Sequence, residues 1–170
     1  MTSKTPLVSF VTATYNAGSD TEKTIESVKA QEVAFEHIII DGGSSNKHID
    51  LIRRAIDERH RFTSESDLGI YDAMNKGIDR ALGDFVVIIN AGDTLSEGYA
   101  ARAVEFLINN PSYDIVYGGI AGKHTENAID ESFFLYHFNI NHQSFVSRSY
   151  CYKDNGRFSL DMLIASDIKW

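Results

Sequence analysis

Two aspartates stand where a chain can present a carboxylate with little beside it: Asp41, followed by Gly42-Gly43, and Asp93, preceded by Ala91-Gly92. Each comes just after an apolar, β-branched run, His37-Ile-Ile-Ile-Asp41 in one case and Phe85-Val-Val-Ile-Ile89 followed by Asn90 in the other. A third such run, Leu7-Val-Ser-Phe-Val-Thr12, leads into Ala13-Thr14-Tyr15-Asn16-Ala17-Gly18. Isolated carboxylates flanked by glycine suit a hard divalent cation that bridges a diphosphate, because Mg²⁺ and Mn²⁺ favour one or two carboxylates plus substrate phosphate oxygens. Taken alone, each aspartate could equally be a cap or an Asx-turn residue, and Asn16 and Asn75 could bond only to local backbone. Two common nucleotide motifs are missing: no Gly-x-Gly-x-x-Gly opens a helix, and no Gly-x-x-x-x-Gly-Lys-[Ser/Thr] occurs. His124, His137 and His142 lack zinc-ligand spacing and have no cysteine pair to join them, which excludes a zinc site.

The elements that must position these residues follow from the period of the apolar pattern. Short β-branched runs alternate with helical patterns about four times over the first 120 residues, the signature of a parallel sheet with crossover helices. Ser19-Asp-Thr-Glu22 has capping-box spacing ahead of Ile25 and Val28, so a helix is expected to start there. Ile49, Ile52 and Ile56 mark a second helix. A short strand near Phe62-Thr63 precedes a third helix through Ala73, Met74, Ile78 and Ala81, with Gly83 as its C-terminal glycine. The run Phe85–Ile89 has no polar alternation and reads as a central strand covered on both faces. A helix from Ser96 to Asn109 stops before Pro111, and Asp114-Ile-Val-Tyr-Gly118 reads as a further strand. From Gly119 to Arg157 the text is aromatic and irregular, with one strand expected near Phe145-Val146. In an open α/β sheet, ligands bind beyond the carboxyl ends of the strands, so the loops after the first, second and fourth strands converge on the place to look.

Composition bounds the reading. The 170 residues, 43% hydrophobic and 24% charged, suit one soluble folded domain. Sixteen basic residues against twenty-four acidic ones give a net charge of -8, which removes the electrostatic drive for nucleic-acid binding. The lone Cys151 cannot form an internal disulfide and fits a reducing compartment, and no secretory leader or apolar run of membrane-spanning length is present, so a cytoplasmic location is expected. Ser159 to Trp170 carries a helical pattern with no stop signal, which implies a natural chain that continues beyond it.

Jointly, these segments resemble the inverting family 2 glycosyltransferases of the GT-A fold, which transfer sugars from nucleotide diphosphates. Val8-Ser-Phe-Val-Thr-Ala-Thr-Tyr-Asn16 is similar to the family's opening strand, and Asp41-Gly-Gly-Ser-Ser-Asn46 to its second acidic loop. Asp67-Leu-Gly-Ile-Tyr-Asp-Ala-Met-Asn-Lys-Gly77 resembles a segment of a bacterial branch that builds surface polysaccharides, as do His142-Gln143 and Ala165-Ser-Asp167. The resemblance implies a three-layer α/β/α sandwich with a mostly parallel central sheet in a single domain. It implies that Thr12, Thr14 and Asn16 line a nucleotide pocket, that Asp41 receives the base, and that Asp67 and Asn75 lie nearer the ribose and diphosphate. Asn90-Ala91-Gly92-Asp93 takes the place of the family's Asp-x-Asp element with only its last acid kept, which leaves Asp93 as the direct ligand of Mn²⁺ or Mg²⁺. Asp167 matches the family's catalytic base, the carboxylate that takes the acceptor proton.

The expected function is therefore metal-assisted transfer, with inversion, from a nucleotide-sugar donor, UDP-sugar first, to a saccharide or lipid-linked acceptor. Contact with the inner face of a membrane is compatible with such an acceptor. A nucleotide-sugar-binding module without turnover, degenerate or truncated, is the alternative. A nucleotidyltransferase ranks below both, because Thr14-Tyr15-Asn16 has no Gly-rich, Arg-bearing loop after the first strand.

Overall fold

The computed structural model describes residues 6–118, 142–154 and 156–161. Four strands, β1 (Val8–Thr14), β2 (Phe35–Asp41), β3 (His60–Ser64) and β4 (Phe85–Ile88), are joined by helices α1 (Gly18–Lys29), α2 (Asn46–Ala55) and α3 (Ile70–Asp79). After β4 come α4 (Tyr99–Asn109), β5 (Ile115–Tyr117), a 3₁₀ turn (His142–Ser144), β6 (Phe145–Arg148) and a short α5 (Tyr150–Asp154). The sheet order is β3-β2-β1-β4-β6-β5. β3, β2, β1 and β4 run parallel, whereas β6 lies antiparallel between β4 and β5. Parallel strands put all their carboxyl ends on one edge, and the order reverses between β1 and β4, which makes that gap the topological switch point.

Alternation along the strands builds the two faces. Val8, Phe10, Phe85, Val87 and Ile89 pack with Val28 of α1 and with Ala100, Ala103, Val104 and Leu107 of α4. Val11, Ala13, Val86 and Ile88 point the other way, onto Tyr71, Met74 and Ile78 of α3 and Tyr152 of α5. Ile25 of α1 and Ile52 of α2 close over Ile39. These layers are the expected α/β/α sandwich, and β4 is buried on both faces as its unbroken apolar run requires. Gly77 lets α3 sit against β1, since a Cβ there would meet Val11 Cγ1 at 2.2 Å.

Several local expectations are corrected. Ser19 and Glu22 lie inside α1 and make no capping box: the cap is Ala17, without a side-chain bond, and Gly18 N–H instead donates to His48 Nδ1 at 3.1 Å. Gly83 does not end α3, which is capped at Arg80; it is glycine because a Cβ would lie 2.7 Å from Ser9 N. α4 begins at Tyr99 rather than Ser96, after the left-handed Gly98 (φ 63°). The helical pattern from Ser159 onward lies mostly outside the described residues. Among the described residues no helix is long and apolar enough to cross a membrane.

The sheet buries two imidazoles side by side. His37 on β2 and His60 on β3 are register partners with ring centroids 5.2 Å apart. His37 Nε2 meets Thr12 Oγ1 at 2.9 Å and His60 Nδ1 meets Asp57 Oδ1 at 2.8 Å, while His37 Nδ1 and His60 Nε2 are buried with no hydrogen-bond partner. Burial first, then the charge His60 would carry, holds His37 well below the usual 6.5. Burial also lowers His60, against the opposing pull of Asp57 and with a small push from Lys29. Unfolded histidines take up protons near pH 6.5 while this pair does not, so below that pH the unfolded state binds more protons and stability falls. The urea midpoint should therefore drop between about pH 7.5 and about pH 5.5, and His37→Gln should flatten the slope, as read by unfolding titrations across that range.

Candidate active site

The loops after β1, β2, β3 and β4 share the carboxyl edge; side chains tie the first two to each other and to the end of β3, and α1 holds the last. Asn16 follows β1 with a left-handed backbone (φ 51°); its N–H donates to Ser44 Oγ at 2.7 Å and its Oδ1 accepts from Ser45 N–H at 3.2 Å. The β1 loop is thus stitched to the β2 loop.

Asp41 ends β2 and is fully buried. Its Oδ2 accepts from Gly43 N–H (3.2 Å), Ser44 N–H (2.9 Å) and Ser64 Oγ (2.6 Å), and its Oδ1 from Ser44 Oγ. Three donors therefore converge on Oδ2 and one on Oδ1, so neither carboxylate oxygen is left without a partner. Asp67, in the loop after β3, lies over the end of β2: a Cβ on Gly42 would come within 2.5 Å of its Oδ2. Its Oδ1 accepts from Gly69 N–H at 2.9 Å.

The turn after β4 is held by α1. Thr24, fully buried, donates to Asp93 O (2.8 Å), lies 3.3 Å from Asn90 O, and accepts from Gly92 N–H at 3.0 Å. Gly92 has φ 96°, and a Cβ there would meet Asp20 Cβ at 3.5 Å, so this turn runs close over the start of α1. The Asp93 side chain is exposed at the edge. The 3₁₀ turn His142–Ser144 packs against β4 and is anchored by Tyr99 Oη donating to Ser144 O at 2.6 Å. Antiparallel pairing puts the start of β6 toward the carboxyl end of β4, so this turn arrives at the same edge as Asn90–Asp93.

The candidates from sequence thus divide. Asn16, Asp67 and Asp93 stand at the edge with accessible surface. Thr12, Thr14 and Asp41 are buried behind it. Thr12 and Thr14 share the parity of Val8 and Phe10, which turns them under α1, where Thr12 meets His37 and Thr14 Oγ1 meets Thr21 Oγ1 at 2.7 Å. Asn75 is drawn elsewhere: its Nδ2 donates to Phe158 O (2.9 Å) and its Oδ1 accepts from Phe158 N–H (3.0 Å), fastening the segment upstream of Asp167 onto α3. Asp167 lies outside the described residues. Tyr15, 64% exposed on the lip of the switch point, joins the accessible groups of this edge, an aromatic residue directly after the first strand that carried no role in the sequence pattern.

The family model described as Glycosyl transferase family 2 matches residues 9–163. The chain belongs to glycosyl transferase family 2. A relative named PGL/p-HBAD biosynthesis glycosyltransferase, from Mycobacterium bovis, is 29% identical to this family 2 chain, covering 95% of the chain and 67% of the relative. An uncharacterized glycosyltransferase of Mycobacterium tuberculosis is 38% identical over 60% of the chain and 40% of its own length. Among solved structures, S. aureus TarS in complex with UDP superposes with a TM-score of 0.72 at 18% identity, over 95% of this chain and 52% of that one. The mannosyltransferase PcManGT from Pyrobaculum calidifontis, in complex with GDP-Man and Mn²⁺, also gives 0.72 at 18% identity, over 94% and 49%. These likenesses establish the GT-A fold, and the chain spans about half the length of those solved structures.

As to a metal, the donor set is one exposed carboxylate, Asp93, in a glycine-bearing turn, and no group of three His, Cys, Asp or Glu residues that could hold an ion occurs among the described residues. That set fits a cation shared with a diphosphate and does not fit an all-protein cage. The turn itself depends on the hydroxyl of Thr24. Thr24→Val keeps the shape and strands the bonds to Asn90, Gly92 and Asp93, so a loss of about 1–3 kcal/mol is expected in urea unfolding.

Proposed function

We propose that this family 2 domain transfers a sugar, with inversion, from a nucleotide-diphosphate sugar bound at the switch point between β1 and β4. The observation that carries the reading is the meeting of Tyr15-Asn16, Asp67 and Asp93 on one edge, on a chain whose family model spans 9–163. The exposed ring of Tyr15 offers a face on which a base can stack, an interaction worth about 1–3 kcal/mol where it has been measured by substitution. UDP is the preferred base carrier, supported by the UDP complex of TarS, with GDP as the competitor raised by the GDP-Man complex of PcManGT.

Asp93, with Asn90 at most indirect, is the residue that would hold Mn²⁺ or Mg²⁺. Bound there, the cation would offset the charge that develops on the departing diphosphate. Asp67 adds negative charge at the same edge and can accept from ribose hydroxyls, while Thr12, Thr14 and Asp41 support the loops from beneath. Asp167 is proposed as the base that takes the proton of the acceptor hydroxyl as its oxygen attacks the anomeric carbon opposite the diphosphate. The proposed acceptor is a saccharide or a lipid-linked acceptor. Family membership favours this enzyme over a binding module without turnover.

Calorimetric titration of UDP, GDP and CDP, each with and without Mn²⁺, tests the donor site. One nucleotide should bind in a metal-dependent way, and Asp93→Ala should remove the metal-dependent part. Binding of none of the three to folded protein would overturn the reading. Asp167→Asn should leave nucleotide binding in place and slow release of nucleoside diphosphate by about 10²–10⁴-fold, the usual contribution of a general base; an unchanged rate would remove Asp167 from that role.

A further inference from the structure

Ser44 is nearly buried, and its hydroxyl lies between two groups that fix the direction of its single proton. Asn16 N–H can only donate, so Ser44 Oγ, 2.7 Å away, must accept from it. The Ser44 proton is then left for Asp41 Oδ1, with which Oγ makes a very short contact. The other oxygen of that carboxylate is occupied by Gly43, Ser44 and Ser64, so the acceptor that orients Ser44 is itself immobilised. At the far end, Asn16 holds φ 51°, the left-handed region that non-glycine residues visit sparingly and asparagine most readily. Its side chain returns to the same loop, accepting from Ser45 N–H at 3.2 Å.

We propose that Ser44 is a positioning residue of the nucleotide site: through its hydroxyl, the buried Asp41 carboxylate holds Asn16 in the left-handed turn that presents Tyr15 and Asn16 at the mouth of the switch point. This rests on the donor-site reading above and adds to it a residue that touches no ligand. It also gives Asp41 a role consistent with its burial, as the fixed end of a relay whose Ser44–Asn16 link spans 28 residues of sequence. Glycine enters φ 51° without strain, so a glycine at position 16 should need the relay less.

The test combines Ser44→Ala, Asn16→Gly and the double variant, with two readouts. Amide exchange in the unliganded protein should speed up about tenfold at Asn16 in Ser44→Ala, with distant core amides unchanged. UDP titration with Mn²⁺ should show about tenfold weaker binding for Ser44→Ala but less than about threefold further loss when the same change is made in Asn16→Gly. Turnover at saturating donor should change little, so the defect sits in KM. Should Ser44→Ala fail to fold, the isosteric pair Ser44→Thr and Ser44→Val asks the same question, and threonine should bind UDP better than valine. Unchanged affinity in Ser44→Ala, an equal loss in both Asn16 backgrounds, faster exchange throughout the protein, or threonine no better than valine would each overturn the relay. If the wild-type protein binds no nucleoside diphosphate, the donor-site reading fails and the positioning role goes with it. Wild-type binding with an unaffected Ser44→Ala overturns the relay alone.

Discussion

A carboxylate with no exposed surface needs donors on both of its oxygens, and Asp41 imposes that demand at the point where β2 leaves the sheet. Two segments supply the donors: the Gly43-Ser44 loop, through its backbone and the Ser44 hydroxyl, and the Ser64 hydroxyl at the end of β3. Meeting the demand fixes the loop after β2, and that loop in turn fixes Asn16 after β1 and leaves Gly42 open for Asp67. The carboxyl edge is consequently ordered by a buried, hydrogen-bonded carboxyl group, and the groups with accessible surface are carried on loops that these bonds have already arranged. Preorganisation of this kind lowers the entropy that a flexible ligand site would lose on binding.

The other side of the switch point is built differently. The Asn90–Asp93 turn has no buried acid at its centre; it is hung on Thr24, whose single hydroxyl contacts three backbone groups of the turn. A neutral hydroxyl satisfies the backbone of this turn without adding a charge of its own. With a net charge of -8 and Asp20, Asp67 and Asp93 spread along one edge, a diphosphate would approach an unfavourable field unless a cation came with it.

The layers were legible because they rest on local pattern. Phe85–Ile89 without polar alternation, bounded by turn residues, reads as a doubly covered strand, and the β-branched runs put Asp41 at a strand end and Asn16 in the loop just past one. What the pattern missed depends on pairing across the sheet. The antiparallel β6 slots between β4 and β5 through contacts far apart in sequence, and nothing in Phe145-Val146 states its direction. Helix starts failed for a related reason: Ser19 has the right spacing for a cap, but the left-handed Asn16 and the bond from Gly18 to His48 start α1 earlier. Thr12 and Thr14 were a case where the signal existed, since their parity with Val8 and Phe10 already assigns them to the α1 face.

Asn75 shows how one residue type can serve a site without facing it. Its amide pairs with both backbone groups of Phe158, as a neighbouring strand would, and Phe158 is further packed between Tyr71 and Tyr152. Arg157 adds a bond to Asp79 on the same helix. The chain that leads toward Asp167 is therefore fastened to α3, the helix that itself begins directly after the Asp67 loop. The Asp67 loop and the Arg157-Phe158 segment thus share one rigid element, so a displacement of α3 would shift both together. Gly77, which admits no side chain between α3 and Val11, opposes such a displacement by locking that helix to β1, the strand that carries Tyr15 and Asn16 at its end.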